Sequence, residues 1–157
     1  MNDALTSPTD EENPWKQALE GTGVGVWDWN LVTNAQTHSA RWEEMLGYQA
    51  GELTQGYRDF VDRVHPDDLP RVQTDARNYM AGLVPTYAQD IRIRCKDGSW
   101  KWILARGTVV ERDANGAPLR MIGTHTDITE RKRAESDLRA LNTQLQQNTQ
   151  LLQTTLS

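Results

Sequence analysis

Cysteine is almost missing from this sequence. The single Cys95 in 157 residues excludes an internal disulfide and a cysteine-rich zinc site, and it fits a reducing compartment. Long apolar runs are missing as well: none approaches the roughly 18 residues a membrane-spanning helix needs. Met1 to Asn13 is polar and acidic, the reverse of a signal peptide. A cytoplasmic chain with no membrane partner is expected. Basic residues are outnumbered, 17 against 22 acidic, for a net charge of −5, and the densest basic cluster is only Arg131-Lys132-Arg133. Such a chain has no field to draw nucleic acid. A glycine-rich phosphate loop, a nucleophile with a placed base and metal-ligand spacing are all absent. No catalytic residue and no metal ligand is assigned, and Glu43-Glu44 and Asp67-Asp68 read as surface and helix-start residues.

What remains falls into three zones. Residues 1–13 form a polar lead-in with little to bury, expected to be mobile. Residues 14–128 carry all six Trp, all four Tyr, the only Phe and every Gly. They form the one domain this length supports. Residues 129–157 contain no aromatic, Gly or Pro and read as a helix without a core of its own.

Within the domain, alternation in "GVGVWDWNL" predicts a strand over 23–31, with Gly25, Trp27, Trp29 and Leu31 on one face. After a Thr33-Asn34 turn comes a short strand, Gln36 to His38. Ser39 then offers an N-cap to a helix bearing Trp42, Met45 and Leu46 and closed by Gly47. "VHPDDLPRVQTDARNYMAG" predicts the longest helix of the domain, with two Asp at its start and Leu69, Val72, Ala76, Met80 and Leu83 along one stripe. Three strands follow at 86–96, 99–111 and 118–128, joined by the turns "KDG" and "DANG". The result is an α+β domain with one antiparallel sheet.

"GVGVWDWNLVTN", "RWEEMLGY", "VHPDD", "IRIRCKDGSWKWI" and "MIGTHTDITERK", in this order and spacing, resemble a PAS domain of the bacterial sensory type over residues 15–133. The resemblance implies a five-stranded antiparallel sheet in the order 2-1-5-4-3, with short helices on one face and a pocket beneath them. It also implies a sensory or dimerising role upstream of an output such as a histidine kinase or a diguanylate cyclase. The triplet Asp127-Ile128-Thr129 then joins the last strand to the signal helix. Asp127 or Thr129 can cap its first turn, and Asp127 is spaced to pair with Arg131. Ala134, Leu138, Leu141, Leu145, Asn148 and Leu152 recur in 4-3 steps, the seam of a parallel coiled-coil homodimer with one polar layer. The helix reaches "LLQTTLS" without a stop signal, which predicts that the natural protein continues. Those seven residues resemble the lead-in helix of a following PAS-type domain.

Strand parity nominates the pocket lining: Ile91 and Ile93 with Cys95, Met121 and His125 with Leu119 and Gly123, and Trp27 with Trp29. In 99–111 both faces are apolar. The flavin-binding branch of the resembled family turns Ile103, Ala105, Gly107 and Val109 inward, leaving Trp100, Trp102 and Leu104 on the outer face, to be covered by the helix around Trp15 and Leu19 or by a second subunit. His125 could ligate haem or hydrogen-bond a small organic ligand, although a satisfied core histidine is the commoner use. Trp27 and Trp29 could stack on a planar ligand or simply fill the core. His65 fits a structural place at the helix start, and Cys95 an inert buried thiol. The Asn-Cys-Arg-Phe motif of flavin photoreceptors is missing, which argues against a flavin photoadduct. Whether any cofactor binds stays open, with a ligand-free dimerisation module as the alternative, because parity does not give a cavity volume.

Overall fold

The computed structural model describes residues 14–156. Two compact units divide the chain, the first ending at Asp127 and the second running from Ile128. The first contains α1 (Pro14–Gly21), β1 (Gly25–Asn30), β2 (Gln36–His38), α2 (Ala40–Met45), α3 (Tyr57–Val61), α4 (Leu69–Met80), β3 (Tyr87–Arg94), β4 (Trp100–Arg112) and β5 (Pro118–Asp127). The second is α5 (Thr129–Leu156). The strands form one antiparallel sheet in the order β2-β1-β5-β4-β3, the predicted fold.

Local chemistry explains the turns. Asn34 takes up a φ of 64°, and its side chain accepts a hydrogen bond from Trp29 Nε1 at 2.8 Å, so the residue that closes the first hairpin also holds an aromatic ring. Ser39 Oγ accepts from Trp42 N at 3.4 Å and from Val26 N at 2.9 Å, capping α2 and stitching it to β1. Among the last carbonyls of α2, Glu43 O accepts from Leu46 N and Tyr48 N, Glu44 O from Gly47 N, and Leu46 O from Lys96 N. Met45 O accepts from a side chain, Lys101 Nζ, at 2.9 Å.

Two expectations need correction, and one element is additional. Asp68 stands at the N-cap of α4 as a helix-start residue, but it is not on the surface: it is buried, as is Glu43, and its carboxylate accepts from Arg92 N, Nε and Nη2 at 2.9, 3.0 and 2.8 Å. A bidentate guanidinium is a stronger partner than an amide at a helix end. Leu83 does not continue the α4 stripe: Gly82 at φ +77° stops the helix, and Leu83 is 74% exposed. α3 was not foreseen at all. The outer edge of β3 is closed by irregular chain, with Arg94 N donating to Arg63 O and His65 N to Arg92 O, which protects a strand edge.

Between the sheet and α2, α3 and α4 lies the core. It includes Trp42, Met45, Leu46, Phe60, Val72, Ile91, Ile93, Ile103 and Met121. Inward parity is as expected on β3, β4 and β5, where Ile91, Ile93, Ile103, Ala105, Met121 and His125 are buried, and Cys95, just past β3, is buried as well. On the outer face Arg92 lies over Trp102 at 5.4 Å, and Trp100 remains 41% exposed. Leu19 of α1 lines a shallow outer groove with Val26 and Ile122 rather than with Trp100 or Trp102. The side chain of Trp15 lies outside the described residues, as does the lead-in 1–13.

Candidate functional site

Three inward glycines build the site by letting large rings approach the sheet. Gly107 of β4 and Gly123 of β5 are register partners. A Cβ at Gly107 would meet Trp27 Cη2 at 2.6 Å, and one at Gly123 would collide with Trp27 Cζ2 and with Arg106 O. The indole of Trp27 therefore lies against a glycine floor. Gly25 does the same for α2, since a Cβ there would meet Trp42 Cα at 2.8 Å.

Around this floor the aromatic side chains converge on His125, which is 4% exposed. Its ring centroid lies 5.5 Å from Trp42, 5.7 Å from Phe60 and 6.5 Å from Trp27. His38 stacks on Trp42 at 3.8 Å and 8°, and its Nε2 meets Gln36 Oε1 at 2.7 Å. Trp29 stacks on Tyr57 at 4.5 Å. The buried Nε1 atoms of Trp27 and Trp42 have no hydrogen-bond partner among the described residues.

A cavity of about 20 Å³ remains, lined by Trp27, Trp29, Gln36, Tyr57, Phe60, Val72, Ala76, Tyr87, Met121 and His125. That volume admits about one water. Its lining holds no carboxylate, lysine or arginine, so it offers nothing to a charged ligand. Trp27, Trp29, Met121 and His125 are brought together here as lining; Ile91, Ile93 and Ile103 are not. Those three share the inward face but sit farther along their strands, in filled core.

Burial governs the titration of the site. His125 is pushed down to about 3, chiefly by desolvation and further by nearby His38. His38 is pushed down to about 4 by its own burial, with the Asp59 carboxylate opposing and Arg63 assisting. Desolvation raises Tyr87 and, less strongly, Tyr57. It also raises Cys95, the reverse of what a reactive thiolate needs. No group of three or more His, Cys, Asp or Glu that could hold a metal occurs among the described residues. His65 is engaged at the start of α4: its Nδ1 accepts from Asp67 N at 3.1 Å, and its carbonyl accepts from Asp68 N and Leu69 N.

At the far end of β5, Asp127 Oδ2 pairs with Lys101 Nζ at 3.1 Å. Within the second unit, Ile128 O accepts from Lys132 N at 2.9 Å, Arg131 pairs with Glu135 at 3.6 Å, and Glu130 is the acidic residue of the first turn. Of the seam, Leu138, Leu141, Leu145 and Leu152 are exposed large apolar side chains, and α5 buries no residue; Ala134 and Asn148 share that exposure. No helix of the described residues is long and apolar enough to cross a membrane.

Sequence reasoning placed Gly107 and Gly123 inward without giving them a role, and it missed Phe60 and Tyr57 of α3 and Lys101. The glycines carried a signal: both fall at inward positions of adjacent strands, where a side chain would be expected. Lys101 carried one too, a charge sharing the parity of Ile103 and Ala105.

The model of the PAS fold family matches residues 36–125. The chain is 29% identical over 143 residues to the sensor protein FixL of Bradyrhizobium diazoefficiens, covering 90% of this chain and 28% of that protein. Only part of the relative's length is thus represented. Among solved structures, a sensory box histidine kinase/response regulator from Burkholderia thailandensis superposes with a TM-score of 0.75 at 32% identity, over 86% of this chain and 99% of that one. The N-terminal domain of a diguanylate cyclase with PAS/PAC sensor from Marinobacter aquaeolei gives 0.60 at 27% identity, over 69% and 98%. A sensory fold that is typically non-catalytic thus recurs in this chain, which belongs to the PAS fold family.

Proposed function

We propose that this chain is a sensory and signal-relay domain. In this reading a change at the cavity is passed along β5 to the Asp127-Ile128-Thr129 junction. From there it enters α5, which pairs with a second copy as a coiled coil and controls an output domain. The observation that carries the reading is the place of His125. It lines the cavity, sits fully among aromatic rings, and lies on β5 two residues before Asp127, where the strand ends. The exposed 4-3 stripe of Leu138, Leu141, Leu145 and Leu152 supports pairing, since a lone solvated helix has no use for one. A histidine kinase or diguanylate cyclase output is supported by the names of the relatives above.

The experiment fuses residues 1–157 to such an output and introduces Asp127→Ala. The expected result is a folded domain whose output no longer responds. Unaltered regulation in the variant contradicts the reading.

A ligand-free relay is favoured over a cofactor-bearing sensor by one observation, the cavity of about 20 Å³. Cofactor sites usually enclose some 300–1,000 Å³. Haem or flavin would have to displace the Trp27 indole from its glycine floor.

A further inference from the structure

We infer that Lys101 is a positioning residue that couples α2 to the end of β5. The inference rests on the relay reading above and adds a second route to the junction, beside β5 itself. Lys101 lies at an inward position of β4, the only charged residue among Lys101, Ile103, Ala105, Gly107 and Val109. Its Nζ makes two contacts: it donates to Met45 O at 2.9 Å and pairs with Asp127 Oδ2 at 3.1 Å.

The first contact gives the second its meaning. A helix end leaves carbonyls that need donors from elsewhere. The neighbours of Met45 O are served by local amides and by Lys96 N, so Lys101 supplies a bond the backbone does not. Trp42 stands three residues before Met45, on the same face of α2. It is 1% exposed, stacked on His38 and set against His125, with its Cα close-packed on Gly25. α2 is only six residues long and is gripped at both ends, by Ser39 at its start and Lys101 at its finish. A ring shift at Trp42 therefore moves Met45 O with it. Lys101 then either follows, drawing on Asp127, or loses a hydrogen bond. Both responses arrive at the last residue before the junction without passing along β5.

The test perturbs α2 and reads Asp127. Ser39→Ala and Trp42→Phe are each placed in chains carrying Lys101, Lys101→Met or Lys101→Arg, and the backbone amide resonances of Met45 and Asp127 are followed by NMR. With Lys101 present, either α2 change shifts both resonances. In Lys101→Met the response of Asp127 falls about threefold or more, while that of Met45 persists. Lys101→Arg, which keeps the donor and the charge, restores it. A lysine that merely stabilises the fold would lower Tm in Lys101→Met but leave the Asp127 response unchanged, and that result overturns the proposal. Silence of Asp127 in the Lys101 chain overturns it as well. If Trp42→Phe does not fold, the Ser39→Ala arm decides alone. No output domain enters this readout, so its failure is distinguishable from failure of the relay reading, which is judged on regulated output.

Discussion

Glycine and histidine set the character of the site at the residue scale. Gly123 has no room for a Cβ, which would strike both the Trp27 ring and the carbonyl of Arg106. A backbone obstacle cannot rotate away, so Gly123→Ala is expected to cost about 2–3 kcal/mol, read as a lower urea midpoint at unchanged m-value. The buried His125 and the half-buried His38 make stability depend on pH. His125 and His38 titrate near 3 and 4 in the fold but near 6.5 once unfolded. Between those values the unfolded chain binds more protons, so stability rises with pH through this window and falls as acid is added. Each histidine contributes a slope of about 1.4 kcal/mol per pH unit below pH 6.5. Urea midpoints from pH 7 to 4.5 should fall steadily, and His125→Gln should flatten the curve by about one histidine's share. An unchanged slope in the variant would mean that His125 is already protonated in the fold.

Elements show how far the sequence could be read. Alternation made β3 and β5 legible, together with the inward set Ile91, Ile93, Met121 and His125, because a one-residue slip would turn every one of them to solvent; β4, apolar on both faces, was legible from its bounding turns, and its inward face from the family resemblance. α2 was legible through its cap and its closing glycine. Ser39→Ala should cost about 1–2 kcal/mol, since it removes the cap and leaves buried Val26 N unpaired; chemical denaturation checks this, and a loss of a few tenths would contradict the shared role. α3 was illegible because five residues, YRDFV, make too short a run to display helical period. Asp68 was placed at the start of α4, where it stands, but its partner was illegible. Its local setting fits a cap, but its true partner, Arg92, comes from 24 residues away. The family resemblance gave the direction of Ile103 but not its distance from the cavity, and cavity volume depends on how Trp27 packs over two glycines of other strands.

On the scale of the whole molecule, the aromatic-filled domain and the coreless helix answer different needs. The first packs most of its large apolar side chains into a core of its own. α5, 28 residues long, buries none, while helices in water draw most of their stability from packing an apolar face. Its Thr143, Thr149, Thr154 and Thr155 hydroxyls hydrogen-bond to carbonyls four residues back, which does not supply that packing. A second copy would supply it, and the relay reading depends on that pairing. Native mass spectrometry of the purified chain with light scattering in solution tests it most directly. The account predicts a species of twice 17.8 kDa and a monomer when Leu138→Glu and Leu145→Glu are combined; a wild-type chain that is monomeric, or a dimer unmoved by both substitutions, would contradict it.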